Sequence, residues 1–265
     1  MSWQRFITSL NMHFKMLMRR KIVLLLLSVI PCIFIFVVHL TSSKNEIFFE
    51  LGMADTKTMI NAPQVNVALV FVTLATTGFL SSFLSLNLVQ QYQGVNRRLI
   101  ICGYHPGELI FSGLFIMFIM NLILVICIGS AIMLFFQPEN PAGMMLGLLF
   151  TGLTYGSYGI LVGSLVKGEL EGTLLVILLA NIDAGWLQNP LFFSGARNKF
   201  IIQLLPAYNS SQISIASTFT NLSLLKPIIA SLIYTSSFLG LALMISYYKM
   251  RVKKHVKKIF ALSNS

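Results

Sequence analysis

Long apolar runs alternate with short polar segments along almost the whole chain. Six runs reach or approach the ~20 residues that a helix needs to cross about 30 Å of hydrocarbon. They are Ile22–Leu40, Val65–Leu88, Leu109–Phe136, Met144–Val166, Thr173–Leu187 and Pro227–Tyr248, the fifth being the shortest. In lipid every backbone polar group must be bonded internally, so each run is expected as a helix. The pattern predicts an all-α integral membrane protein with six transmembrane helices. It forms one domain over residues 1–258, followed by a short tail at 259–265. Between the fifth and sixth spans, Gln188–Leu225 holds two further apolar runs, around Phe200–Leu205 and Ile213–Phe219. They are too short to span and are expected as re-entrant or interfacial helices.

The first twenty residues carry a different period. Trp3, Phe6, Ile7, Leu10, Phe14 and Leu17 recur at steps of three and four, with Arg5, Lys15 and Arg19 at other angles. This predicts an amphipathic helix over 1–20 along the inner leaflet, with Trp3 at the headgroup level. A leader that only sets orientation is the alternative. The segment lacks a short apolar core ending in small residues and does not read as a cleaved signal peptide.

Composition agrees with a membrane class: 56% of residues are hydrophobic and 10% charged, against about a quarter charged in soluble domains. The net charge of +11 raises nucleic-acid binding as a possibility. Its placement answers that, because the cations flank the apolar runs. With both termini cytoplasmic, fourteen Lys and Arg fall inside and five fall outside. The inside set includes Arg19, Arg20, Lys21, Arg97, Arg98, Lys167 and the tail from Lys249 to Lys258; Lys44, Lys57, Arg197, Lys199 and Lys226 are outside. The expectation is therefore a multi-pass protein of the cytoplasmic membrane with no nucleic-acid partner. Cys32, Cys102 and Cys127 show no metal or disulfide spacing.

The connection from Gln91 to Glu108, between the second and third spans, is too polar for lipid. Val95, Leu99, Ile100 and Cys102 nevertheless give it an apolar stripe, with Gly103 as a helix stop and Pro106 and Gly107 as turn residues. The expectation is a short amphipathic helix standing between two spans on the cytoplasmic side, able to dock into a groove of a partner. Gly94, Leu99, Pro106, Glu108 and Leu109 follow the order of the coupling-helix region in ABC-2 type transporter permeases, the membrane subunits of type V ABC exporters. The chain resembles that family here and in three further places. These are its amphipathic start, the polar break Gly163–Glu171, and Leu205-Pro206 followed by a helical run to Phe219. Val95 stands where the family has threonine, and Gln91 and Gln93 where it often has acids. Arg97 and Arg98 remain as the charged handles.

The resemblance implies a half-transporter that works with a separate ABC ATPase subunit and a second permease copy or paralogue. Gly94, Asn96, Arg97, Arg98, Leu99 and Ile100 would be its ATPase-coupling residues. No Gly-x-x-x-x-Gly-Lys-Ser/Thr run occurs in this sequence. ATP and Mg are expected on the partner ATPase, this chain binds no cofactor, and it is not itself an enzyme. The cargo is expected to be hydrophobic or amphiphilic: a drug, an antimicrobial peptide or a lipid-like molecule. A stand-alone secondary transporter of a small amphiphile is the alternative, and would call for internal repeats and ionisable residues near the midplane.

Asn87, Asn121, Asn181 and Asp183 are the candidate lining of a substrate pathway, since polar groups in spans are costly. Asp183 has two readings: a functional acid inside the membrane, or an interfacial cap on the helix that follows. The small residues of the fourth span, among them Gly147, Gly152, Gly156 and Gly159, predict close helix packing. No catalytic set and no metal-ligand set is visible.

Overall fold

The computed structural model describes residues 3–18, 21–53, 59–104 and 106–263. The helix α1 (Trp3–Met18) leads into α2 (Lys21–Thr41), then a hairpin of β1 (Glu46–Glu50) and β2 (Met59–Pro63), then α3 (Gln64–Ile101) and α4 (Pro106–Met133). Next come α5 (Pro141–Leu165) and α6 (Glu169–Ile182), which runs on through a π-helical turn at Asp183–Leu187. Three short helices follow, α7 (Pro190–Gly195), α8 (Lys199–Gln203) and α9 (Pro206–Phe219), before the long α10 (Leu225–Ser263). Proline opens α5, α7 and α9, where its missing N–H costs nothing. Asn140 caps α5 through Gly143 N at 2.9 Å, and Asn189 caps α7 through Leu191 N at 3.0 Å.

Among the described residues, five helices are long and apolar enough to cross a membrane: Gln64–Ile101, Gly107–Met133, Pro141–Leu165, Glu169–Leu187 and Leu225–Lys249. The protein is thus a helical, multi-pass membrane protein. Of the first expected span, the apolar helix Val29–Thr41 is described; most side chains nearer its start lie outside the described residues. The fifth span is longer than the sequence suggested. It starts earlier, taking in Glu169–Gly172, and ends at Leu187 as expected, reaching 19 residues.

One expectation is corrected, and two elements are added to the picture. The helix expected between the second and third spans is not a separate element. It is the last part of α3, which runs unbroken for 38 residues, and Pro106 and Gly107 open α4 instead of forming the turn. The tail expected at 259–265 is helical as far as Ser263, as the end of α10. The segment between the first two spans folds into an antiparallel hairpin pairing Glu46 with Pro63 and Glu50 with Met59.

Helix α5 sits at the centre, packed against α3, α4, α6, α9 and α10. Its glycines are where neighbours come closest. A Cβ at Gly152 would collide with the Asn121 carboxamide, one at Gly159 with the Ser82 carbonyl oxygen, and one at Gly147 with Ser214. This is the close packing expected of the span. By contrast, α6 and α10 lie outside, with Leu174, Leu178, Ile229 and Ile233 all exposed, as suits lipid-facing side chains.

The two ends of the bundle differ. At the basal end, Gln90 Nε2 donates to Gly168 O (3.1 Å), and Lys249 Nζ donates to Ser164 O (2.5 Å) and Leu165 O (3.2 Å). The end of α3, the α5–α6 turn and the middle of α10 therefore meet there, and α1 joins them through the first turns of α4. At the apical end, the hairpin is tied to the α7–α9 segment. Lys199 pairs with Glu50 at 2.5 Å, Ser194 Oγ accepts from Glu50 N at 2.9 Å, and Tyr208 OH donates to Gly52 O at 2.7 Å.

Candidate functional site

Asp183, the first residue of the π-helical turn, is fully buried. Its Oδ2 accepts from Tyr155 OH at 2.5 Å and from Ala207 N at 2.9 Å, while Oδ1 accepts from Gln188 Nε2 at 2.9 Å. Ser211 Oγ donates to Gln188 Oε1 at 3.2 Å, which extends the network into α9. Ala207 lies in the first turn of α9, just after Pro206, so the carboxylate caps a helix whose early N–H groups have no partner of their own. Of the two sequence readings, the structure combines the cap with the burial. Asp183 caps α9 from inside the bundle, and each of its oxygens is engaged by protein.

That explains how α9 can lie where it does. Fourteen residues give about 21 Å, too short to span. The helix carries Ser210, Ser211, Gln212, Ser214, Ser217 and Thr218, all buried. Non-spanning helices persist at membrane depth only when enclosed by protein. Here α5, α3, α10 and the π-helical turn enclose it, and its hydroxyls return to carbonyls, as in Ser217 to Ile213 O (2.7 Å) and Ser214 to Met144 O (3.0 Å).

The expected pathway residues are not brought together. Asn121 is buried between three helices: Oδ1 accepts from Ser81 Oγ (2.9 Å) and Nδ2 donates to Leu149 O (3.1 Å). Asn87 bonds along its own helix to Phe83 O (3.0 Å), and Asn181 does the same to Ile177 O (3.0 Å) from an exposed position. Asp183 belongs to a fourth environment. Sequence reasoning missed Tyr155, Gln188 and the Ala207 N–H. The available signal was Pro206, whose place at a helix start announces unpaired N–H groups in need of an acceptor.

The last turns of α3 hold the expected coupling residues. At about 57 Å, α3 is roughly 27 Å longer than the hydrocarbon thickness. The helix ends in a Schellman motif: Tyr104 N donates to Leu99 O (3.1 Å), Gly103 N to Ile100 O (3.2 Å), and Gly103 takes φ +90°. Gly103 is the helix stop the sequence predicts. Gly94 faces open space, Arg98 is exposed, and Leu99 and Ile100 are half-buried. Asn96 buries its Oδ1 without a partner. The side chain of Arg97 lies outside the described residues. Ile101, absent from the expected stripe, presents apolar surface at 61% exposure, with Cys102 of that stripe exposed beside it.

The amphipathic α1 packs on α4 through polar groups. Ser9 Oγ meets Ser112 Oγ at 2.8 Å, and His13 Nδ1 donates to Ser9 O at 2.8 Å, all three residues being buried. Burial pushes the His13 imidazole below its ordinary pKa, against the opposing pull of the Ser9 carbonyl. Ile7 and Phe14 are exposed, which leaves an apolar face for lipid; the side chains of Trp3, Phe6 and Leu17 lie outside the described residues.

Neither a family model nor a curated protein sequence matches this chain.

Proposed function

We propose that the chain is the permease subunit of an ATP-driven exporter, with α2 as the first of six spans and both termini in the cytoplasm. The observation that carries this reading is the overshoot of α3. A continuous helix passes from the bundle centre, where it packs on α5, to an exposed tip bearing Arg98 and Ile101. A rigid helix of this kind moves as one body, so a push on its tip reaches the span directly. Lys249 of α10 lies at the same end, and five more Lys and Arg follow it in the sequence, which agrees with a cytoplasmic basal face. Because the sequence carries no phosphate-binding loop of its own, the push comes from a separate ATPase subunit carrying ATP and Mg.

A second permease copy or paralogue completes the pathway, and the cargo is a hydrophobic or amphiphilic molecule. Asp183 serves this function as an anchor for α9, not as a group that meets cargo. The test is affinity purification of the full chain from its native membrane, followed by assay of the eluate for ATP hydrolysis. Hydrolysis by a co-purifying subunit supports the reading, and its absence under conditions that preserve the complex overturns it.

A further inference from the structure

Leu174, Leu178, Ile182 and Trp186 recur at steps of four along α6 and its π-helical turn, and all are exposed. Leu225, Ile229 and Ile233 form a matching exposed stripe at the start of α10. Both stripes suit lipid. The 19 residues of α6 and its π-helical turn give about 28 Å, close to the hydrocarbon thickness. Trp186, at the apical end, therefore stands at the membrane interface, the level at which Trp is enriched.

The segment α7–α8 begins at that level and joins the two stripes. The Trp186 and Phe192 rings lie 6.0 Å apart, and Tyr234 OH on α10 donates to Leu204 O, just past α8, at 2.8 Å. The segment is apolar on two sides. Phe193 and Ile202 are buried with Tyr208 on the inner side, while Leu191, Phe192, Phe200, Ile201 and Leu204 are exposed. A helix facing water keeps its outer side polar, so the second apolar face calls for lipid. Charge completes the surface. Lys199 is taken by Glu50, whereas Arg197, between α7 and α8, is exposed and in no ion pair among the described residues. Its planar guanidinium matches the oxygens of a phosphate.

We propose that α7–α8 is a docking surface for an anionic phospholipid of the apical leaflet, whose phosphate meets Arg197 while its acyl chains lie along Phe200, Ile201 and Leu204. Lipid then covers one apolar face that runs from α6 across α7–α8 to α10. The surface depends on neither the exporter reading nor the sidedness of the protein.

The experiment uses the full chain in nanodiscs, with Trp3→Phe and Trp186→Phe removing both tryptophans and Phe200→Trp supplying the single fluorophore. Its emission is read as brominated phosphatidylglycerol or brominated phosphatidylcholine is mixed into unbrominated phosphatidylcholine. Both should quench, and phosphatidylglycerol should be selected over phosphatidylcholine about fivefold, the size expected of one cation at the headgroup level. Arg197→Gln should bring that ratio to about one, and Arg197→Lys should keep it above the Arg197→Gln value. If Phe200→Trp fails to insert, Ile201→Trp reports on the same surface. Quenching by neither lipid would place the segment in water and overturn the proposal. Equal selection of the two lipids with Arg197 present, or a preference that Arg197→Gln leaves intact, would overturn it as well. No ATPase takes part, so failure of the exporter reading would leave the quenching unchanged.

Discussion

The carboxylate of Asp183 lies 2.9 Å from the backbone nitrogen of Ala207. Through that contact the end of a span holds the start of a helix too short to span. The acid that looks like a transport residue in the sequence has both oxygens engaged by protein and anchors a helix N-terminus inside the bundle.

The anchor gives the first prediction. Asp183→Ala leaves Ala207 N, Tyr155 OH and Gln188 Nε2 without their acceptor and should cost several kcal/mol, at about 1–3 per unsatisfied buried group. Asp183→Asn, with its carboxamide oxygen in the Oδ2 position, keeps the acceptor of both Ala207 N and Tyr155 OH, and its amide nitrogen then faces Gln188, whose own carboxamide can turn to accept, so its loss should be smaller. Thermal unfolding in detergent, wild type against both variants, reads the order. Equal melting of Asp183→Ala and wild type would remove the anchor.

Much of this fold is legible in the sequence, because apolar length dictates spans and glycine content dictates the tight central helix. What escapes is non-local. The partner of Asp183 is a backbone N–H 24 positions away, and no side-chain pattern marks it. The strands Glu46–Glu50 and Met59–Pro63 are too brief for alternation to declare them. Ser9 and His13 count as polar and so point to water by period alone, yet they bury against Ser112 by bonding one another. The α3 extension reads as a separate loop helix because polarity changes at Gln90. Leaving lipid does not break a helix, and a single glycine at Gly94 costs only about 1 kcal/mol.

The apical cap separates packing from charge. A Cβ at Gly52 would sit 2.6 Å from Tyr208 OH and 2.8 Å from the Phe193 ring, both rings being buried. Gly52→Ala should therefore destabilise the cap by about 1–3 kcal/mol. Lys199→Ala removes a partly exposed ion pair and should cost under about 1 kcal/mol. Protease sensitivity of the 41–63 segment distinguishes them, with Gly52→Ala cut faster.

His13 makes α1 docking dependent on pH. Its folded pKa lies below the ordinary value of about 6.5, because burial disfavours the charged ring. The contribution is full above that value and is lost as pH falls through the folded pKa. Amides of α1 should exchange faster at pH 5.5 than at pH 7.5 after correction for intrinsic rates, and His13→Gln should flatten the difference. An identical pH response in wild type and variant would refute the assignment.

Sidedness is open to direct labelling. Lys44 and Lys167 are both exposed, at opposite ends of the bundle. In a cysteine-free background, Lys44→Cys should react with a membrane-impermeant maleimide on intact cells. Lys167→Cys should react only after permeabilisation. The reverse pattern would place the basal face outside.

The central claim is that the tip of α3 receives force from a separate ATPase. Its most direct measurement is co-purification of that ATPase with Ile101→Asp and Leu99→Asp variants, alongside a check of membrane insertion. Burying an unpaired charge in a contact is strongly disfavoured, and an exposed tip residue has no part in insertion. The account predicts that Ile101→Asp inserts normally and loses the ATPase, and that Leu99→Asp loses it as well. Undiminished ATPase recovery and transport with Ile101→Asp would contradict it.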